Sequence, residues 1–433
     1  MTTLPFLLAA AAALSPEVDQ GVTRAIEDEI REAKAPGAAV AVVKDGEVVY
    51  LKAFGVRSAE EPTPVTEDTL FRLGSTTKMM TALVALRDAA DRRVDLDAPV
   101  RTYAKDLDAA VGKVTLRQLL THTAGMAEGA PAVQSKDDDG LARMVRGWKA
   151  NALFTTPGEV FSYTSPGYWL AGYVLEQVHG KAYADVLRER LFDPFGMSTS
   201  TLRPLEALTR DFAQGHEGGE EPKVVRPMAE NTAQYPAGSA FSSARELAKL
   251  AAGVLERPPE GFFTATVPLP GGDGATYGFG LVSYEVGGTQ VFEHGGVRRG
   301  YGSHIRFIPG KRGAVVLMTN RNGVTLRKSL DDITAKVFDL VEAPPPETRA
   351  APVKGADAKR YVGTYAHQDL VTYVVRWDGR QLLLKTDTER PLSRARGDTF
   401  RTPDGEELTF VFRPGVDKAR YLHMDLLTSV RIR

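Results

Sequence analysis

At 433 residues, with 43% hydrophobic and 25% charged side chains, the chain is too long for one typical small domain and has the makeup of a soluble globular protein. A net charge of −1, with no basic stripe, supplies no field for nucleic acid or an anionic membrane. The lack of any cysteine excludes disulfides, thiolate metal sites, a cysteine nucleophile and a lipidated cysteine, and seven scattered histidines without an H-E-x-x-H pattern argue against zinc.

Residues 4–14 form an apolar run too short to span a bilayer as a helix. It resembles the hydrophobic part of a secretory signal, with small residues around 11–13 for cleavage, although no Lys or Arg precedes it. Residues 1–15 are therefore read as a signal peptide and the protein as exported, periplasmic or secreted; a cytosolic N-terminal helix is the alternative. No later segment is apolar enough to be transmembrane.

Val18, Val22, Ile26 and Ile30 give an amphipathic helix over 17–33. A hairpin follows, 38–43 and 47–54, around an Asp45-Gly46 type I′ turn. The stretch from 75 to about 200 is mainly helical. Thr115 and Gln118 read as a capping box, Pro166 as the start of a helix ending at Gly180, and Ser243 and Glu246 as the start of another over 247–255. Strand patterns return at 281–286, 290–293, 303–308 and 314–319, before a last helix over 325–342. Strands at both ends enclosing a helical middle imply an α/β unit, one sheet layer with a helical insertion.

Prolines 344–346 and 352 mark a stiff linker over 343–355. Beyond it, short strand candidates at 361–365, 371–377, 381–386, 407–413 and 421–431 recur at even spacing. They read as a small all-β barrel or sandwich over 356–433.

Three short motifs carry chemistry. Ser75-Thr76-Thr77-Lys78 opens an apolar helix after Gly74 and is the one S-x-x-K in the chain. Positions three apart share a helix face, so a lysine amine can reach the serine hydroxyl and take its proton. Alone the pattern more often marks a helix cap with a solvated lysine. Tyr163-Thr164-Ser165 lies just ahead of the Pro166 helix, where a phenol at a turn can relay a proton. A packed tyrosine with a capping serine is the bland alternative. His294-Gly295-Gly296-Val297 ends a strand, where glycines let a substrate backbone approach the edge. The amides of Ser75 and Val297 can then pair as an oxyanion hole.

In this order and spacing the chain resembles the serine β-lactamase and penicillin-binding family, in its class C-like branch with D-amino-acid peptidases and esterases. Residues 119–126, Pro157-Gly158, Pro236-Ala237-Gly238 and 295–320 add to the likeness. The resemblance implies a β-lactamase-like antiparallel sheet flanked by helices, with an all-helical subdomain, over 16–342. It implies Ser75 as acylated nucleophile, Lys78 as base, Tyr163 as proton shuttle, and no metal or cofactor. The segment 356–433 resembles the lipocalin-like barrel appended to some members.

Two departures from the pattern narrow the substrate. The tyrosine motif ends in Ser165 rather than Asn, which weakens recognition of a substrate amide; the serine is still expected to cap its helix. His294 replaces the lysine that binds a substrate carboxylate, and an imidazole serves there only while protonated. Together with Gly295 and Gly296 these two are the candidate substrate-binding residues. The expected activity is serine hydrolysis of a small amide, peptide or ester, with a carboxylesterase, a β-lactamase and a non-catalytic penicillin-binding-like receptor as alternatives. His122 is read as structural.

Overall fold

The computed structural model describes residues 13–228, 230–272, 274–341 and 353–433. Most of the leader and of the proline-rich linker lies outside the described residues.

Eight antiparallel strands form the main sheet. From one edge the order is Glu47–Gly55, Gly37–Lys44, Gly313–Thr319, Tyr301–Ile308, Thr289–Arg298, Val282–Val286, Thr276–Tyr277 and Val267–Pro268. The Asp45-Gly46 hairpin forms with φ of 56° and 84°, as a type I′ turn requires. Chain positions 38 and 319 are thus neighbours, and the segment between them supplies both the helical region and the remaining strands.

Strand alternation divides the core in two. Ala38, Val40 and Val42, with Val315 and Leu317, point to one face and pack under helices Pro16–Glu32 and Arg327–Phe338 through Val22, Ile26, Leu330 and Ile333. Ala39, Ala41 and Val43, with Val316 and Met318, point to the other face, against Leu247, Leu250 and Ala251 of helix Ala244–Glu256. That second core runs on without a break into the helical region. Helix Thr77–Ala90 lies at the junction, and its first ten residues are all buried.

Three of the predicted caps are present. Thr115 and Gln118 bond reciprocally, Ser243 accepts the Glu246 amide, and Gly180 ends its helix at φ 63°. The C-terminal segment is a closed barrel of eight strands between Gly363 and Arg431, each paired with its sequence neighbour. Tyr361, Phe400, Phe410, Leu384 and Leu422 fill its interior. Strands Glu389–Arg396 and Thr399–Arg401 were not expected from sequence, and 421–431 is two strands broken at Asp425-Leu426. Among the described residues no helix is long and apolar enough to cross a membrane.

Candidate active site

Ser75 lies in a single 3-10 turn, Gly74–Thr76, just before the buried helix, and makes no capping bond. The turn is clamped to the sheet. Ser303 Oγ donates to the Leu73 carbonyl at 2.6 Å and lies 2.8 Å from Thr76 Oγ1. Glycine is needed at 74, because φ is 53° and a Cβ there would meet the Val297 backbone at 2.6–2.7 Å. Glycine is needed at 296 too, where a Cβ would stand 2.0 Å from the Leu73 carbonyl oxygen. Gly296 therefore serves the packing of the Ser75 turn. Only Gly295, whose Cβ would touch nothing closer than 3.5 Å, leaves room at the edge as expected.

Lys78 is completely buried. Its Nζ donates to Ser75 Oγ at 3.2 Å and to the Ala237 carbonyl at 2.9 Å. Nζ also lies 4.8 Å from the centre of the Tyr163 ring and 5.7 Å from that of Tyr168. The structure thus brings Ser75, Lys78 and Tyr163 together, from segments almost ninety residues apart. An open cavity of about 770 Å³ at the far end of the same helix, lined by Leu86, Val94 and Phe279, contains no serine, lysine or histidine.

The strand carrying His294 is paired on both sides only as far as Glu293, which faces Val282. Beyond that, one edge is open. Arg298 and Tyr301 flank the two-residue turn of the next hairpin and so form its closing hydrogen-bonded pair. By alternation the amides of Gly295 and Val297 turn to the open edge, toward the Ser75 turn.

His294 is buried between this strand and Tyr277. Its Nδ1 lies 2.5 Å from the Gly295 carbonyl and its Nε2 3.1 Å from the Tyr277 hydroxyl. Burial, reinforced by the Lys78 charge, pushes the imidazole down to about 3. A protonated His294 facing a carboxylate is therefore not what the structure provides. Arg298 is the better-placed cation. It is half-buried, donates to Gln234 Oε1 at 3.2 Å, and has no carboxylate within ion-pair distance among the described residues.

His122 is buried against Tyr163. Its Nδ1 accepts the Thr164 amide at 3.1 Å and its ring lies 4.4 Å from that of Tyr163. The Lys78 charge adds to burial in holding it neutral.

Ser165 does not cap its helix. It is the first helical residue, after Thr164, and its amide is taken by the carboxylate of Glu128 at 2.7 Å. Sequence reasoning missed Glu128. It stands two residues beyond the family-like segment 119–126, and nothing local links it to Ser165. Burial raises the pKa of this half-buried carboxylate, against the lowering effects of the Ser165 amide and the Lys78 charge.

The barrel reaches the same place. The Tyr163 amide donates to the Leu426 carbonyl at 2.8 Å. Thr428 donates from its amide to Ser162 Oγ and from Oγ1 to the Phe161 carbonyl. His367 Nε2 accepts the Glu128 amide at 3.1 Å. Farther out, Arg413 pairs with Glu159, whose carboxyl it holds down at about 2.

The family model described as Beta-lactamase matches residues 22–337. Penicillin-binding protein 4 of Amycolatopsis lactamdurans is 31% identical over 370 residues, which cover 78% of this chain and 94% of that protein. A D-aminopeptidase of Gluconobacter oxydans (strain 621H) is 32% identical over 66% of this chain and 56% of its own length. Among solved structures, the crystal structure of SurE superposes with a TM-score of 0.80 at 24% identity, over 96% of this chain and 99% of that one. The octameric penicillin-binding protein homologue from Pyrococcus abyssi superposes with a TM-score of 0.67 at 23% identity, over 95% and 99%.

Proposed function

The chain belongs to the Beta-lactamase family, and we propose that it hydrolyses a small amide, peptide or ester through an acyl-enzyme on Ser75. The carrying observation is the buried Lys78 Nζ, 3.2 Å from Ser75 Oγ. In this reading Lys78, as the free amine, takes the serine proton and Ser75 Oγ attacks the substrate carbonyl. The amides of Ser75 and Val297 hold the developing oxyanion. The Tyr163 phenol passes a proton to the leaving group; in the second half the resulting phenolate takes one from the attacking water, and Lys78 returns its proton to Ser75 Oγ.

The substrate lies along the open edge beside Gly295. His294 acts as a neutral support for that edge, and Arg298 is the cation available to a substrate carboxylate. The D-aminopeptidase relative favours an amide or peptide over an ester, and a β-lactam ranks third. Export remains our reading of the apolar run at 4–14; sequencing the mature N-terminus tests it.

The test of the activity is a panel of chromogenic esters, D- and L-aminoacyl anilides and a β-lactam, run beside a fluorophosphonate that labels active serines. Labelling at Ser75 and turnover of at least one class are expected, both lost in Ser75→Ala. Turnover that survives in Ser75→Ala would refute the reading. A stable adduct without turnover would instead mark a penicillin-binding-like receptor.

A further inference from the structure

The Lys78 charge acts on two imidazoles, His122 and His294, and on one carboxylate, Glu128. The imidazoles are buried and neutral. Glu128 is different in three respects. It is only half-buried, so part of it meets solvent. One of its oxygens is fixed by the Ser165 amide at 2.7 Å, two residues from Tyr163. The other makes no hydrogen bond, and no Lys, Arg or His lies within ion-pair distance of it among the described residues.

A surface carboxylate with no partner is ordinary. A half-buried one, pinned on the Ser165 amide two residues from Tyr163, carries a desolvation cost that an incoming cation would relieve. Its placement is also fixed from both ends. The Ser165 amide orients the side chain, and His367 of the barrel holds the Glu128 backbone amide at 3.1 Å. His367 is itself set by the Thr428 carbonyl, 2.7 Å from its Nδ1. Such double support is what a recognition group needs if it is to discriminate by position rather than by charge alone.

The neighbourhood agrees with this use. In the family resemblance, position 165 carries an asparagine that lies near the nucleophile and contacts the substrate amide. Here that position is a serine, too short for the task, and Glu128 occupies its backbone. The group that stands at this position is therefore anionic. Arg298 stands on the strand that carries the open edge. A substrate with a cationic acyl part and, where present, an anionic leaving part would meet complementary charges in both places.

We propose that Glu128 is a specificity-determining residue whose free carboxylate oxygen binds the α-ammonium of the substrate's acyl part, so that the enzyme selects aminoacyl amides or esters with an unblocked amino group. The inference rests on the acyl-enzyme reading above and names the substrate class for that same site.

Alanine p-nitroanilide of either hand, free or N-acetylated, serves as the substrate pair. The native protein should prefer the free amine. In Glu128→Gln the ratio of kcat/KM, free over acetylated, should fall about tenfold or more, the weight of one charge-assisted hydrogen bond. Glutamine keeps an oxygen for the Ser165 amide, so loss of helix anchoring is not the cause, and Glu128→Asp should restore part of the ratio. An unchanged ratio in Glu128→Gln, or a native preference for the acetylated anilide, overturns the proposal. A second measurement needs no variant. Alaninamide should slow fluorophosphonate labelling of native Ser75 more than N-acetylalaninamide does, and equal protection again overturns it. If Ser75 is not labelled at all, the acyl-enzyme reading itself fails. If it is labelled without amine discrimination, only the role of Glu128 falls.

Discussion

The backbone amide of Tyr163 donates to the backbone carbonyl of Leu426, 2.8 Å away and 263 residues later in the chain. The tyrosine beside the Ser75–Lys78 pair is thus set in part by the barrel. Thr428, fully buried two residues on, completes the attachment: its Oγ1 donates to the Phe161 carbonyl at 2.6 Å and accepts from His423 Nδ1 at 2.7 Å. Thr428→Val leaves both partners buried and unsatisfied, and should cost about 2 kcal/mol or more. Chemical denaturation measures this. A fall in kcat/KM should accompany it, and Thr428→Ser should recover most of both losses.

The Ser75 turn is seated by two glycines. Gly296→Ala places a methyl 2.0 Å from the Leu73 carbonyl oxygen and should destabilise by about 1–3 kcal/mol while slowing fluorophosphonate labelling. Gly295→Ala meets only His304, at 3.5 Å, and should shift the melting temperature little. Equal losses for the two would show that the packing argument is wrong.

His294 should stay neutral across the working range. With its pKa pushed down to about 3 by burial and Lys78, its ring resonances should not titrate between pH 8 and 5, and kcat/KM should show no limb belonging to it. The linkage follows. The folded value lies below the unfolded one near 6.5, so the stability it contributes is present above pH 6.5 and is lost as pH falls toward 3. An NMR titration with a midpoint near 6.5 contradicts this.

Arg298 should matter only where the substrate offers a carboxylate. Arg298→Gln is expected to raise KM about tenfold for a dipeptide with a free C-terminus, and much less for the corresponding amide. Steady-state kinetics on the pair decides; a rise shared equally by both would assign Arg298 to general architecture.

Glu176 gives the opposite pH dependence, far from the cleft. It is buried in helix Ser165–His179, accepts the Tyr183 amide at 2.9 Å, and its carboxyl is pushed up to about 7, chiefly by burial. Its contribution is fully present below the unfolded value near 4.5 and is lost as pH rises through 7. Glu176→Gln should therefore gain in melting temperature relative to native between pH 5 and 8. A constant offset across that range would contradict the argument.

The main sheet and the Ser75, Tyr163 and His294 segments were legible because their signals are local. Asp45-Gly46, Thr115 with Gln118, and Ser243 with Glu246 each announce a turn or cap within a few residues. What was not legible depends on contacts across the chain. Glu128 carries no motif, and its meaning comes from the Ser165 amide. The expectation that Ser165 caps its helix failed because Thr164 holds the cap position and Ser165 is the first helical residue, its amide met by a carboxylate from another segment. The Asp425-Leu426 turn was hidden for another reason. Its residues adopt φ of 48° and 67° without a glycine, a conformation that leucine seldom accepts. The sequence there reads as an unbroken strand, yet this turn is what meets Tyr163. Strain tolerated at such a position is common where a loop serves a site.

The sheet and the barrel turn also impose an order of assembly during synthesis. Strand Gly37–Lys44 emerges from the ribosome early but waits for Gly313–Thr319 before its second neighbour exists. The support for Tyr163 waits longer still, until residues 426–428 have cleared the exit tunnel. A nascent chain can therefore hold Ser75 beside Lys78 well before the barrel's support for Tyr163 exists.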